Sequence, residues 1–172
     1  MFKGLYLDIQ AVKKNDPAAR NVCEIVFTYA GFHALCLYRV SHLFWRCRCR
    51  FFARVISQFA RFLTGVEIHP GAKIEHGVFI DHGMGVVIGE TAEVKTGVVL
   101  YQGVTLGGRK MVKGKRHPTV EEGVVIGAGA KVLGGFTVGK GAKIGAGAVV
   151  LCEVPPFATA VGVPAKIIEK SD

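Results

Sequence analysis

From Ile68 to Val150 an aliphatic side chain recurs every six positions: Ile68, Ile74 and Ile80, then Ile88, Val94, Leu100 and Leu106, then Val120, Ile126, Val132, Val138, Ile144 and Val150. Four places after most of these marks stands a small or aliphatic residue, as at Ala72, Val78, Ala92, Val98, Val104, Val124, Ala130, Ala142 and Ala148. A period of six fits neither a helix nor a half-buried strand. It is the hexapeptide signature of a parallel β-helix, in which each hexad forms one side of a triangular coil. The fold class expected is therefore mainly β, a β-helix.

The rhythm slips twice. From Ile80 to Ile88 the step is eight, across Asp81-His82-Gly-Met-Gly, and from Leu106 to Val120 it is fourteen, across a basic insert at 107–119 that contains Lys115-Arg116-His117-Pro near its end. A solenoid accepts insertions only where they project from a face, and such loops are where binding concentrates. Both slips carry histidine beside a charged residue, which makes them the first candidates for chemistry.

Residues 1–64 lack the hexad beat and read as helical. Asp16-Pro17 reads as a helix start, with Asp as N-cap and Pro in the first turn. A second helix is expected from about Gly31. A third is expected over Arg50 to Leu63, its face Phe51, Val55, Ile56, Phe59 and Phe62 packing to close the open end of the coil. Val154-Pro-Pro-Phe punctuates the other end, because proline cannot continue a strand ladder. The expected units are a helical cap at 1–64, a β-helix at 65–155 and a tail at 156–172.

Composition changes this picture little. Half of the 172 residues are hydrophobic, enough for a core without metal or disulfide support. The opening Met-Phe-Lys-Gly-Leu-Tyr-Leu-Asp has charges where a signal peptide needs an apolar core, and Glu24, His33 and Arg39 interrupt the most apolar run. Five cysteines without a framework point to reduced thiols and a cytoplasmic setting. The net charge of +9 comes largely from arginines between Arg39 and Arg61 and from the insert. No nucleic-acid motif accompanies them, so a small polyanionic ligand is the better match.

Asp16-Pro-Ala-Ala, Gly31-Phe-His-Ala-Leu, Ile68-His-Pro-Gly-Ala, Asp81-His-Gly-Met-Gly-Val-Val-Ile-Gly-Glu-Thr, Gly103-Val-Thr-Leu-Gly-Gly, Arg116-His-Pro and Gly162-Val-Pro-Ala, in this order, resemble bacterial serine O-acetyltransferases. The resemblance covers nearly the whole chain. It implies acetyl transfer from acetyl-CoA to the hydroxyl of L-serine, without a metal. It also implies a left-handed coil, against the usual right-handed crossover, and a homotrimer with active sites between subunits. The chain departs from longer members in lacking most of their N-terminal helical domain and their extended tail. This puts in doubt a hexamer and a complex with O-acetylserine sulfhydrylase. Glu67 stands where many members carry Asp.

By family position His82 is the general base, Glu67 the carboxylate behind it, and His117 an orienting group for substrate or thioester. An imidazole ordinarily titrates near ~6.5 and can take an alcohol's proton at neutral pH. Asp16 and Asp81 would hold the serine amine and Arg116 its carboxylate, since guanidinium donates two parallel hydrogen bonds to that group. Gly108, Ala128 and Ala146 would line the acetyl-CoA groove, with Lys143 and Lys166 near phosphates. His33, His42, His69 and His76 read as structural. Three rivals keep the coil: an acetyltransferase for a sugar or antibiotic, which has no use for Arg116; a zinc enzyme built on His76, His82 and His117, whose cation Arg116 would repel; and a non-catalytic structural solenoid, which leaves unexplained why both slips carry histidine.

Overall fold

The computed structural model describes residues 2–110 and 112–168. Four helices, α1 (Phe2–Asn15), α2 (Val22–Thr28), α3 (Ala30–Arg46) and α4 (Arg50–Thr64), precede a parallel β-helix of short strands. The first face stacks Glu67–Ile68, Val87–Ile88, Thr105–Gly107, Lys131–Leu133 and Val149–Val150. The second stacks Lys73–Ile74, Glu93–Val94, Thr119–Val120 and Thr137–Val138, and the third Phe79–Ile80, Val99–Leu100, Val125–Ile126, Lys143–Ile144 and Thr159–Val161.

Each hexad spends two or three residues on a strand and the rest on a corner. In the strand the marked residue points inward and its predecessor outward, since successive side chains alternate across a strand. Every marked aliphatic is buried, and so is each of the nine small or aliphatic residues named four places on; the exceptions, Met84, Lys110 and Phe136, fall at or beside the breaks in the rhythm. The two sets form one continuous core along the coil axis. Glycine is required where corners stack closely: Gly103 and Gly129 both have positive φ, and a Cβ on Gly103 would stand 3.4 Å from the Gly129 Cα.

The first coil is an open end with unpaired backbone groups, and helix side chains cover them. Tyr38 donates its hydroxyl hydrogen to Ala72 O at 2.6 Å and accepts from Ile74 N at 3.1 Å. Ser57 donates to Ile68 O at 2.7 Å. Leu35 and Ala34 enter the coil's own core from α3. A second cluster, Val12, Ile25 and Phe32 with Phe79 and Val99, fastens α1 to α3 onto the outside of the third face. Buried Asp8 ties α1 down, accepting from Arg39 at 2.8 Å and from Gly77 N at 2.7 Å.

Three expectations need correction. Asp16 does not open a helix: it follows α1, its Oδ1 accepts from Ala18 N at 2.8 Å, and Asn21 is the N-cap of α2. The aromatic stripe of α4 does not pack on the coil: Phe51 is 74% and Phe62 84% exposed, whereas Ala53, Ser57, Ala60 and Thr64 face inward. The surface being capped offers carbonyls and needs close approach, so it selects the small, polar side of the helix. The ladder also continues past Pro155-Pro156, because Thr159–Val161 pairs in parallel with Lys143–Ile144 and then antiparallel with Lys166–Ile168. The end of the expected tail, 169–172, lies outside the described residues.

The four histidines read as structural each bond within the fold: His33 Nε2 meets Val26 O at 2.6 Å, His42 Nδ1 meets Pro70 O at 2.8 Å and His76 Nδ1 meets Asp8 Oδ2 at 3.3 Å. His69 Nδ1 accepts from Gly71 N at 3.0 Å while its ring edge meets Trp45. Burial, with Arg54 nearby, pushes its pKa down to about 4. An unfolded chain protonates the ring near ~6.5. The unfolded state therefore binds more protons between these values; stability is full above ~6.5 and falls as pH drops through the window. Solvent still reaches part of the ring, so we expect a loss of about 1–2 kcal/mol by pH 4 from this group. His69→Asn, which keeps an acceptor for Gly71, should flatten the slope of urea-unfolding stability against pH. Equal slopes would remove the explanation.

Candidate active site

The slip between Ile80 and Ile88 forms the corner between the third and first faces. Its tip is His82, at φ +57, a conformation few non-glycine residues hold without cause. The side chain is 72% exposed, and its Nε2 stands 3.7 Å from Asp81 Oδ2, near but beyond hydrogen-bond length. The packing of α1 to α3 on the third face delivers Asp16 to the same place. Asp16, Thr28, Tyr29, Ala30, Gly31, Ile80, Asp81 and His82 line one cavity of about 330 Å³. Gly31 sits there because a Cβ would lie 2.1 Å from Ile80 O.

Tyr29 donates its hydroxyl hydrogen to Asp16 Oδ2 at 2.6 Å. That bond, then the Ala18 N–H, hold the Asp16 carboxyl below its ordinary range against a smaller opposing effect of burial, and His82 adds to the lowering. The Tyr29 phenol is pushed up to about 12, chiefly by the same bond. The cavity thus presents a fixed carboxylate, Asp16, across from Asp81 and an exposed imidazole. This is a place for a cation bonded close to a hydroxyl.

Glu67 is not on the His82 ring. Its carboxylate pairs with Arg61 at 3.1 Å, and among the described residues no Glu67–His82 pair forms within 4.0 Å. Glu67 does begin the strand hydrogen-bonded to Val87, beside the loop that carries His82. The Arg61 side chain is 57% exposed, so the pair that diverts Glu67 is a surface one.

Arg116 and His117 end the long insert, at the corner between the first and second faces. Arg116 Nη2 donates to Glu90 Oε2 at 2.5 Å, which lowers the Glu90 pKa. Among the described residues the guanidinium donates no other hydrogen bond, which leaves its remaining donors for another acceptor. His117 is buried, and burial followed by the adjacent Arg116 charge lowers its pKa. Gly108 lies at this corner too, against Arg116. Arg109, Lys110, Lys115 and Arg116 line a cavity of about 390 Å³ with Leu133, Phe136 and Leu151.

The two groups occupy different corners, with the whole first face between them. Ala128 and Ala146 lie on the His82 corner, stepping down successive coils through Gly103 N to Met84 O, Gly129 N to Gln102 O and Gly147 N to Ala128 O. At about 4.8 Å per coil, the distance from His82 to Ala146 is about 14 Å. Lys143 and Lys166 are exposed on the third face. His76 is at yet another corner, paired with Asp8 at 3.3 Å, so one chain does not gather His76, His82 and His117. Among the described residues no group of three or more metal-binding side chains is placed to hold an ion, and no helix is long and apolar enough to cross a membrane. Reasoning from sequence missed Tyr29, Glu90 and Thr91. The last two stand within a quoted motif, yet no spacing rule shows which residues they hold.

Comparison with known proteins identifies the family. Residues 1–36 match the family model "Serine acetyltransferase, N-terminal", and residues 117–152 match "Bacterial transferase hexapeptide (six repeats)". A serine acetyltransferase of Bacillus licheniformis is 56% identical over 97% of this chain and 77% of its own length. One of Helicobacter pylori strain J99 is 57% identical over 96% of this chain and 97% of its own. Among solved structures, a serine acetyltransferase in complex with cysteine superposes with TM-score 0.95 at 47% identity, covering 97% of this chain and 69% of that one. A complex with CoA gives 0.92 at 47%, covering 96% and 69%, and one from Neisseria gonorrhoeae with serine gives 0.94 at 38%, covering 98% and 69%. The coil is accordingly the left-handed β-helix that the motifs imply. With relatives above half identity along nearly its full length, the chain belongs to the serine acetyltransferase family.

Proposed function

We propose that this protein transfers the acetyl group of acetyl-CoA to the hydroxyl of L-serine, giving O-acetylserine and CoA, the activated serine from which cysteine is made. The observation that carries the acceptor's identity is the His82 cavity, where two carboxylates flank an exposed imidazole. Asp16 and Asp81 hold the ammonium, which places the serine hydroxyl at His82. The imidazole takes the hydroxyl proton as the oxygen attacks the thioester carbonyl. The C–S bond then breaks, and the imidazolium returns the proton to the departing thiolate. Glu67 can orient the ring only by leaving Arg61.

Arg116 supplies the clamp for the serine carboxylate, but it lies one full face away. A homotrimer that sets the His82 corner of one subunit against the Arg116 corner of the next completes the site. The outward aromatic face of α4 also supports assembly, since an apolar patch of that kind is uncommon on a free monomer. The small-residue column at Ala128 and Ala146 suits the pantetheine arm. The basic cavity beside Gly108, and Lys143 and Lys166 on the third face, suit the CoA phosphates. The five cysteines are all free thiols, which fits a reducing, cytoplasmic setting.

Release of CoA thiol from acetyl-CoA tests the reading. L-Serine should support turnover, while a sugar, chloramphenicol and amino acids without a hydroxyl should not. Equal rates with every acceptor would end the serine assignment.

A further inference from the structure

The clamp at the Arg116 corner is itself held by three consecutive residues of a neighbouring coil. Thr91 Oγ1 accepts from Arg116 N at 3.0 Å and from His117 N at 3.1 Å. A hydroxyl has two acceptor sites and one hydrogen. With both acceptor sites filled, its hydrogen goes to His117 Nδ1, 2.9 Å away. The Thr91 N–H donates to the same Nδ1 at 3.1 Å. Two donors converge on Nδ1, so that nitrogen is the acceptor and the ring proton sits on Nε2. The Nε2 edge lies over Gly89, where a Cβ would stand 2.1 Å from it. Glu90 grips the Arg116 guanidinium, and Lys115 Nζ donates to Thr91 O at 3.0 Å.

We propose that Gly89-Glu90-Thr91 is a positioning cradle that fixes His117 as the neutral Nε2–H tautomer, a hydrogen-bond donor to substrate oxygen rather than a second base. Gly89 makes room for the ring, Thr91 sets its proton and Glu90 aims the guanidinium beside it. The order matters because the insert spans a step of fourteen residues with glycine at 114 and few buried side chains. Left unpinned, it would present Arg116 and His117 in many orientations. Burial and the Arg116 charge act in the same direction as Thr91, since both oppose a cationic ring. A neutral donor next to a guanidinium suits the carboxylate or the developing oxyanion of the acyl-transfer reading above, on which the activity arm of the test rests.

The tautomer is read without substrate. In ¹⁵N-histidine-labelled protein near pH 7, the His117 signals, assigned by their loss in His117→Asn, should show a pyridine-type Nδ1 and a pyrrole-type Nε2. A pyrrole-type Nδ1, or a ring charged at that pH, would overturn the proposal whether or not serine is the acceptor. In turnover, Thr91→Val should lower kcat/KM for serine by about tenfold to a hundredfold, the usual cost of removing an outer partner that orients a functional imidazole. Thr91→Ser, which keeps the hydroxyl, should restore it. Wild-type kcat/KM in Thr91→Val, or no rescue by serine at that position, would refute the hydroxyl's role.

Discussion

His82→Ala is expected to lower kcat by about a hundred- to ten-thousand-fold, the range a positioned general base supplies. The structure offers little other work for this side chain. It is 72% exposed, and among the described residues its one acidic partner within 4.0 Å, Asp81, lies at 3.7 Å. Folding stability should therefore change by less than about 1 kcal/mol. The backbone at φ +57 calls for one control, because alanine tolerates that conformation poorly. His82→Asn keeps a residue at home in the left-handed region yet removes the base, so it should be as inactive as His82→Ala and melt like wild type. The KM for acetyl-CoA should hold in both variants, since Ala128 and Ala146 lie on separate coils down the corner. CoA release at saturating serine measures the first outcome and thermal melting followed by circular dichroism the second. A kcat within tenfold of wild type in either variant would remove His82 from the chemistry.

The coil was legible because its rule is strictly local. An unbroken hexad places one aliphatic residue inward on the strand and one small or aliphatic residue at the corner, and both are buried. The same strictness made the slips informative, since a step of eight or fourteen can only project outward. Each slip turned out to carry one half of the candidate site. Coil handedness came only through family motifs, because the general crossover rule points the other way. The cap was legible in kind but not in orientation. A helical pattern tells which side of α4 is apolar, not which side its neighbour requires. That neighbour is an edge of carbonyls such as Ile68 O, and it takes Ser57 in preference to Phe59. The meeting of Asp16 with His82 was not legible either, for the approach of the helices depends on Asp8, Arg39 and Phe79, scattered through the chain. Pairings such as Tyr29 with Asp16, Glu90 with Arg116 and Arg61 with Glu67 depend on tertiary geometry for which no sequence spacing speaks.

Mixing two inactive variants should regenerate activity. His82 occupies the corner between the third and first faces, while Arg116 occupies the corner between the first and second, so on one subunit the two stand a full face apart. In a cyclic trimer each site would combine the His82 corner of one subunit with the Arg116 corner of the next. Such an interface is heterologous, and every subunit gives one corner to each neighbour. A trimer of only His82→Ala subunits lacks all three bases, and one of only Arg116→Ala subunits lacks all three clamps. Any mixed trimer contains one junction at which an intact His82 faces an intact Arg116. Random reassembly of equal amounts after denaturation should therefore recover roughly a quarter of wild-type activity from two nearly inactive preparations. Mixing without unfolding should recover none while the trimers stay closed. Had the site formed within one subunit, no mixture could restore it, because every chain would still lack one component. Failure to regain activity in reassembled mixtures that sediment as trimers would place both groups in a single subunit's site and overturn the shared arrangement.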